Sequence, residues 1–120
     1  MIRSYKDLIV WQKSFELSLL IYKFTKQFPK DEIYALTSQV RRAAVSIPSN
    51  IAEGYGRQRR LEYIQFLQIA YASGAELETQ LLIASELKYL DEKSFVLANE
   101  ILQEVMRMLN VLISKIKSSA

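Results

Sequence analysis

Five arginines stand within twenty residues of this chain: Arg41, Arg42, Arg57, Arg59 and Arg60. Only Glu53 opposes them in that span, and none of the five is a lysine. A guanidinium is a planar fork of donors that meets phosphate or carboxylate oxygens two at a time and stacks on aromatic faces. The chemistry this suggests is recognition of a polyanion, RNA or DNA, with Tyr55 and Tyr63 flanking the Arg57–Arg60 group as surfaces on which bases could stack. The same fork suits ion pairs with carboxylates, within the chain or across a subunit interface. A polar stripe of Gln39, Arg42, Ser46, Asn50, Glu53 and Arg57 accompanies the arginines. Its uncharged members, Gln39, Ser46 and Asn50, are of the kind that forms hydrogen-bonded contacts between packed helices, here expected between chains more than within one.

Bond-making chemistry has little to work with. The chain has no Cys, which excludes disulfides, thiolate metal sites and thiol nucleophiles. It has no His, which removes the commonest general base and metal ligand. Glu76, Glu78, Glu86, Glu100 and Glu104 raise the thought of a di-metal helical bundle, but such sites use Glu-x-x-His pairs. Gly54-Tyr55-Gly56-Arg57-Gln58-Arg59 has Arg59 where a dinucleotide loop needs its third glycine, and it follows a helix rather than a strand. The reading is a protein that is not an enzyme and holds no metal or cofactor.

Most of these residues are positioned by one segment. At about 100° per residue, Ile33, Leu36, Val40, Ala43, Ile47 and Ile51 share one face of a helix spanning roughly 30–54, and the polar stripe occupies another. Pro48 interrupts it, leaving the Ala44 carbonyl without its usual donor. The apolar phase continues through Ile47, Ile51 and Tyr55, so a bend rather than a break is expected. Gly54 or Gly56 would end the helix in a left-handed cap.

Three more helices are expected. The first spans about 6–27, with Leu8, Trp11, Phe15, Leu19 and Tyr22 as its main apolar line. A second line of Leu17, Leu20/Ile21, Phe24 and Phe28 widens its face enough for more than one neighbour. The third spans about 59–87 on Tyr63, Phe66/Leu67, Ala70, Gly74, Leu77, Leu81 and Ala84, with close packing expected at Gly74. The fourth spans about 92–117, with Asp91 as N-cap and Phe95, Ala98, Leu102, Val105, Leu109, Leu112 and Ile116 in three-four alternation. Short turns between long helices predict an all-α fold, an antiparallel up-down-up-down four-helix bundle forming a single domain over 1–120.

Composition agrees. Half of the 120 residues are hydrophobic, and three Gly and two Pro leave little material for turns. The net charge of +3 is uneven: residues 1–60 hold eleven Lys/Arg against five Asp/Glu, and residues 61–120 hold five against eight. The first half is therefore the one suited to a polyanion. The longest uncharged stretch, 63–75, is thirteen residues and contains Gln65, Gln68 and Ser73. It is too short and polar to span a bilayer, so no membrane partner is expected and a cytoplasmic protein is the default.

The chain resembles a known family: the small bundle proteins encoded in intervening sequences of bacterial 23S ribosomal RNA genes, and their chromosomal relatives. The resemblance rests on Leu8-Ile9-Val10-Trp11-Gln12, on the run Ser38 to Gly54 (SQVRRAAVSIPSNIAEG), and on Phe66 to Glu78 (FLQIAYASGAELE). It implies a closed antiparallel bundle assembled as a homo-oligomer, a ring-like pentamer, with no enzymatic activity. Accessory proteins of diversity-generating retroelements look similar and bind nucleic acid and a reverse transcriptase. RNA or DNA, or a protein partner such as a reverse transcriptase, is thus the implied partner.

Overall fold

Pro48 sits inside a helix that runs without interruption from Leu36 to Tyr55, here α2. The carbonyl that the proline leaves without a donor is not orphaned. The Ser18 hydroxyl, on the preceding helix, donates to Ala44 O at 3.1 Å. That hydroxyl also lies 3.0 Å from Ser14 O, which already has an intrahelical donor available. A residue 26 positions away thus replaces the missing backbone N–H, and the helix stays whole.

The computed structural model describes residues 1–119. Around α2 stand α1 (Ile9–Thr25), α3 (Arg60–Glu86) and α4 (Glu92–Ser118), with short 3-10 turns at Tyr5–Asp7 and Lys30–Glu32. Each helix packs on the next and α4 closes on α1, while the backbones of the diagonal pairs stay more than 8 Å apart. Contacts run in opposite directions along each consecutive pair: Ser18 with Ala44 and Thr25 with Arg41; Ser46 with Ser73 and Gly54 with Phe66; Glu78 with Gln103 and Tyr71 with Asn110. This is the antiparallel up-down-up-down bundle, 49 Å long and 24 by 21 Å across. The core follows the expected period on α2, α3 and α4, with Val40, Ile47, Ile51, Leu67, Leu77, Leu81, Leu102, Val105 and Leu109 fully enclosed.

Two expectations are corrected near the first connection. The second helix does not begin at Lys30: the 3-10 turn and a kinked Ala35 (φ −125°, ψ −108°) precede it. Ile33 therefore falls out of phase and lies exposed instead of joining the core face. Glu32 still serves the helix start, accepting from Leu36 N at 3.2 Å with one oxygen and from the Tyr89 hydroxyl at 3.1 Å with the other. That second bond ties the first connection to the last, and accepting it from the neutral phenol raises the Tyr89 pKa.

On α1 the two apolar lines exchange roles. Leu17, Ile21, Phe24 and Phe28 are the buried line, whereas Phe15, Leu19 and Tyr22 are exposed, Leu19 by 60%. Both lines are apolar, so periodicity alone could not rank them. Neighbours decide: Ser18 must face Ala44, which turns the adjacent Leu17–Ile21 ridge inward.

The glycines act by closeness rather than by left-handed geometry. No glycine has a positive φ, and α2 continues through Gly54 to a cap at Gly56 with φ −76°. A Cβ on Gly54 would stand 2.8 Å from Phe66 Cβ and 3.3 Å from the Tyr63 carbonyl oxygen, so its absence lets α2 and α3 meet. A Cβ on Gly74 would overlap the Met106 sulfur, the flexible end of a side chain. We expect Gly54→Ala to destabilise the fold by about 1–3 kcal/mol because backbone must move. Gly74→Ala should cost far less, since Met106 can swing away and alanine gains about 1 kcal/mol of helix propensity. Chemical denaturation of the two variants checks the contrast.

The α3 C-terminus is a left-handed cap without a glycine. Lys88 has φ 65°, and the bonds Tyr89 N to Ala84 O (2.9 Å) and Lys88 N to Ser85 O (3.0 Å) form a Schellman arrangement. Lysine strains there and its side chain is exposed. Lys88→Gly is expected to raise stability by about 1 kcal/mol, measured as a higher denaturation midpoint at constant slope. Asp91 caps α4 as expected, accepting from Ser94 N at 2.7 Å, and that bond holds its carboxyl below the usual range.

Candidate nucleic-acid interface

The fold divides the five arginines into two sets. Arg42 and Arg57 are separated by roughly 20 Å at 1.5 Å per residue of helix. Arg57, Arg59 and Arg60 surround the α2–α3 turn at one end of the bundle, and all three are exposed. Arg57 pairs with Glu53 at 3.1 Å, and its guanidinium lies over the Phe66 ring, 4.8 Å from the centroid. Arg59 Nε is 3.9 Å from a Glu62 oxygen. Arg60 Nη1 donates to the Ser119 carbonyl.

That last contact spans 59 positions and brings in two further cations. Lys115 and Lys117, in the last turn of α4, suit the negative end of its dipole. The fold also sets them at the same end as the three arginines, with their side chains exposed. Exposed pairs such as Arg57–Glu53 and Arg59–Glu62 are weak in water, so a phosphate can displace the carboxylates.

Tyr55 and Tyr63 do not serve as free stacking surfaces. Their rings meet edge to face, 6.2 Å apart at 89°, and both are half-buried. Burial, and secondarily the neighbouring Tyr55, pushes the Tyr63 phenol pKa up. With Tyr55 and Tyr63 held against each other, the cationic end offers charge and forked donors, a surface for phosphates rather than for base edges.

The second set lies in the first half of α2. Arg41 is half-buried, its Nε donating to Thr25 Oγ1 at 2.8 Å and its guanidinium 4.7 Å from the Tyr22 centroid. Arg42 is exposed, as is Gln39, and neither Arg41 nor Arg42 makes an ion pair among the described residues. The centre of the polar stripe turns inward. Ser46 and Ser73 share a hydroxyl–hydroxyl bond of 2.8 Å, and Asn50 Nδ2 donates to Ser46 O (2.7 Å) and Oγ (2.9 Å). Ser46 thus joins α2 to α3 within one chain, against the expectation of a contact between chains, and Asn50 braces Ser46 from the same helix, while Glu53 holds Arg57.

Sequence reasoning also missed where the spare apolar surface of α1 goes. Trp11, Phe15, Leu19 and Tyr22 line a groove of about 380 Å³ against Val45 and Pro48 of α2. Trp11 and Phe15 stack at 5.1 Å. Among the described residues, no helix is long and apolar enough to cross a membrane.

The family model for the 23S rRNA-intervening sequence protein matches residues 6–111. The chain belongs to that family. The 23S rRNA-intervening sequence match takes in all five arginines and the whole polar stripe, and stops short of Lys115 and Lys117. The chain is similar to the crystal structure of a protein with unknown function from the S23 ribosomal protein family of Bacteroides thetaiotaomicron VPI-5482. It superposes with a TM-score of 0.82 at 25% identity, covering 88% of this chain and 98% of that one. No curated protein matches the chain.

Proposed function

We propose that this member of the 23S rRNA-intervening sequence protein family is a non-enzymatic, oligomeric protein of the cytoplasm that binds RNA or DNA through its cationic end. The observation that carries the reading is the gathering of Arg57, Arg59, Arg60, Lys115 and Lys117, all exposed, at one end of a rigid bundle. Glu53 and Glu62 are the carboxylates paired there. Such a surface attracts a phosphate backbone by charge and counterion release, largely without regard to sequence. One copy supplies few contacts, and a homo-oligomer multiplies them into useful avidity. The family resemblance suggests a pentameric ring, and the apolar α1–α2 groove is the kind of surface that assembly covers.

A second reading is favoured by the Arg57–Glu53 and Arg59–Glu62 pairs. In it the arginines serve salt bridges, and the oligomer is a scaffold for a protein partner such as a reverse transcriptase. Titration of the purified protein with a structured RNA and a DNA duplex at several salt concentrations tests the first. Affinity should be high at low salt and fall linearly in log–log form. Absence of binding at low salt, with the oligomer intact by sedimentation, favours the scaffold instead.

A further inference from the structure

Away from the cationic end, a recess of about 610 Å³ opens between α1, the 33–35 connection and the first half of α2. We propose that it binds a nucleoside phosphomonoester, the phosphate held by Arg41 and Arg42 and the base lying against Tyr34. This site does not depend on the polyanion reading, from which it is separated along α2.

Three observations carry the assignment. Arg41 and Arg42 line the recess together with Ser38, and no acidic residue lines it among the described residues. Arg41 is fixed in advance: one nitrogen is bound to Thr25 Oγ1 at 2.8 Å and its guanidinium carbon lies 4.7 Å from the Tyr22 ring centroid, leaving its two terminal amino groups without a described partner. A half-buried cation with no counter-charge is costly unless an anion completes it, and a fork already held in place loses little freedom on doing so. Third, Tyr34 stands at the rim 96% exposed, next to both arginines. Exposed aromatic rings beside arginine forks suit a ligand that is anionic at one end and flat at the other. Two adjacent guanidiniums match the double charge and several oxygens of a phosphomonoester better than a single carboxylate. The volume lies within the roughly 300–1,000 Å³ of small-molecule sites.

The test is titration of the full chain with adenosine 5′-monophosphate, adenosine and inorganic phosphate, followed by calorimetry and by the tyrosine ring resonances. Adenosine monophosphate should bind saturably, shifting Tyr22 and Tyr34, with adenosine and phosphate each at least tenfold weaker. Arg41→Gln and Arg42→Gln should each raise its Kd at least tenfold, and Tyr34→Ala several-fold. Arg42 and Tyr34 are exposed, so those two variants keep the fold even if Arg41→Gln lowers the melting temperature. A 5′-phosphorylated oligonucleotide that competes better than its 5′-hydroxyl twin identifies the phosphate as a strand end; equal, weak competition by both identifies a free nucleotide. The proposal is overturned if adenosine monophosphate does not bind at millimolar concentration or if adenosine binds as tightly. It is equally overturned if Arg42→Gln and Tyr34→Ala leave its affinity unchanged, or if they change only the sedimenting mass, which would assign the recess to a protein interface.

Discussion

Replacing Ser18 with alanine is expected to lower the stability of the fold by about 1–3 kcal/mol, and most of that loss should vanish when Pro48 is also alanine. The Ser18 hydroxyl donates to Ala44 O, the carbonyl whose usual helical donor Pro48 lacks. Ala44 is fully buried, so its carbonyl cannot turn to water when the hydroxyl is removed. Alanine at position 48 restores the N–H that closes the ordinary helical bond. In that background Ser18→Ala costs only its local bond to Ser14 O. A double-mutant cycle by urea denaturation measures the coupling, expected at about 1–2 kcal/mol. Equal costs in both backgrounds would mean that the hydroxyl does not stand in for the missing donor.

The combined change of Arg57, Arg59 and Arg60 to Ala should cut affinity for duplex or structured nucleic acid at least a hundredfold at low salt. It should also flatten the slope of log affinity against log salt by about 2–3, the loss of three phosphate contacts. Lys115→Ala with Lys117→Ala should flatten it further, a result that the position of these lysines outside the family match would not suggest. Arg57 should matter least singly, because it gives up Glu53 to bind. The sedimenting mass should not change. Unchanged slope with a changed mass would instead place these arginines in subunit contacts, as the scaffold reading requires.

Much of the fold is legible in the sequence because the helices are long and their apolar phases strong. Leu67, Gly74, Leu77, Leu81, Leu102 and Leu109 are where the three-four spacing puts them. What could not be read depends on residues far apart in the chain. Phe15 and Leu17 are equally apolar, and only the Ser18–Ala44 contact selects which line faces inward. Gly54 looked like a terminator because its partner, Phe66, belongs to another helix. The Ala35 backbone, which breaks the phase before Leu36 and expels Ile33, carries no local signal in a glycine-free stretch. For the site, the clustering of arginines in sequence suggested one surface. Helix geometry makes it two, and only the closing of α4 on the start of α3 recruits Lys115 and Lys117 to one of them.

The up-and-down course of the chain returns residues 1–7 and 115–119 to the face that carries Arg57, Arg59 and Arg60. An affinity tag or fluorescent protein fused at either terminus would hang over that face, shielding it or, if polyhistidine, adding charge to it. The opposite pole, at the Lys88 bend, is the place to attach a reporter or surface anchor. A dye or tether there leaves the cations unobstructed, so immobilised and free protein can be compared on equal terms.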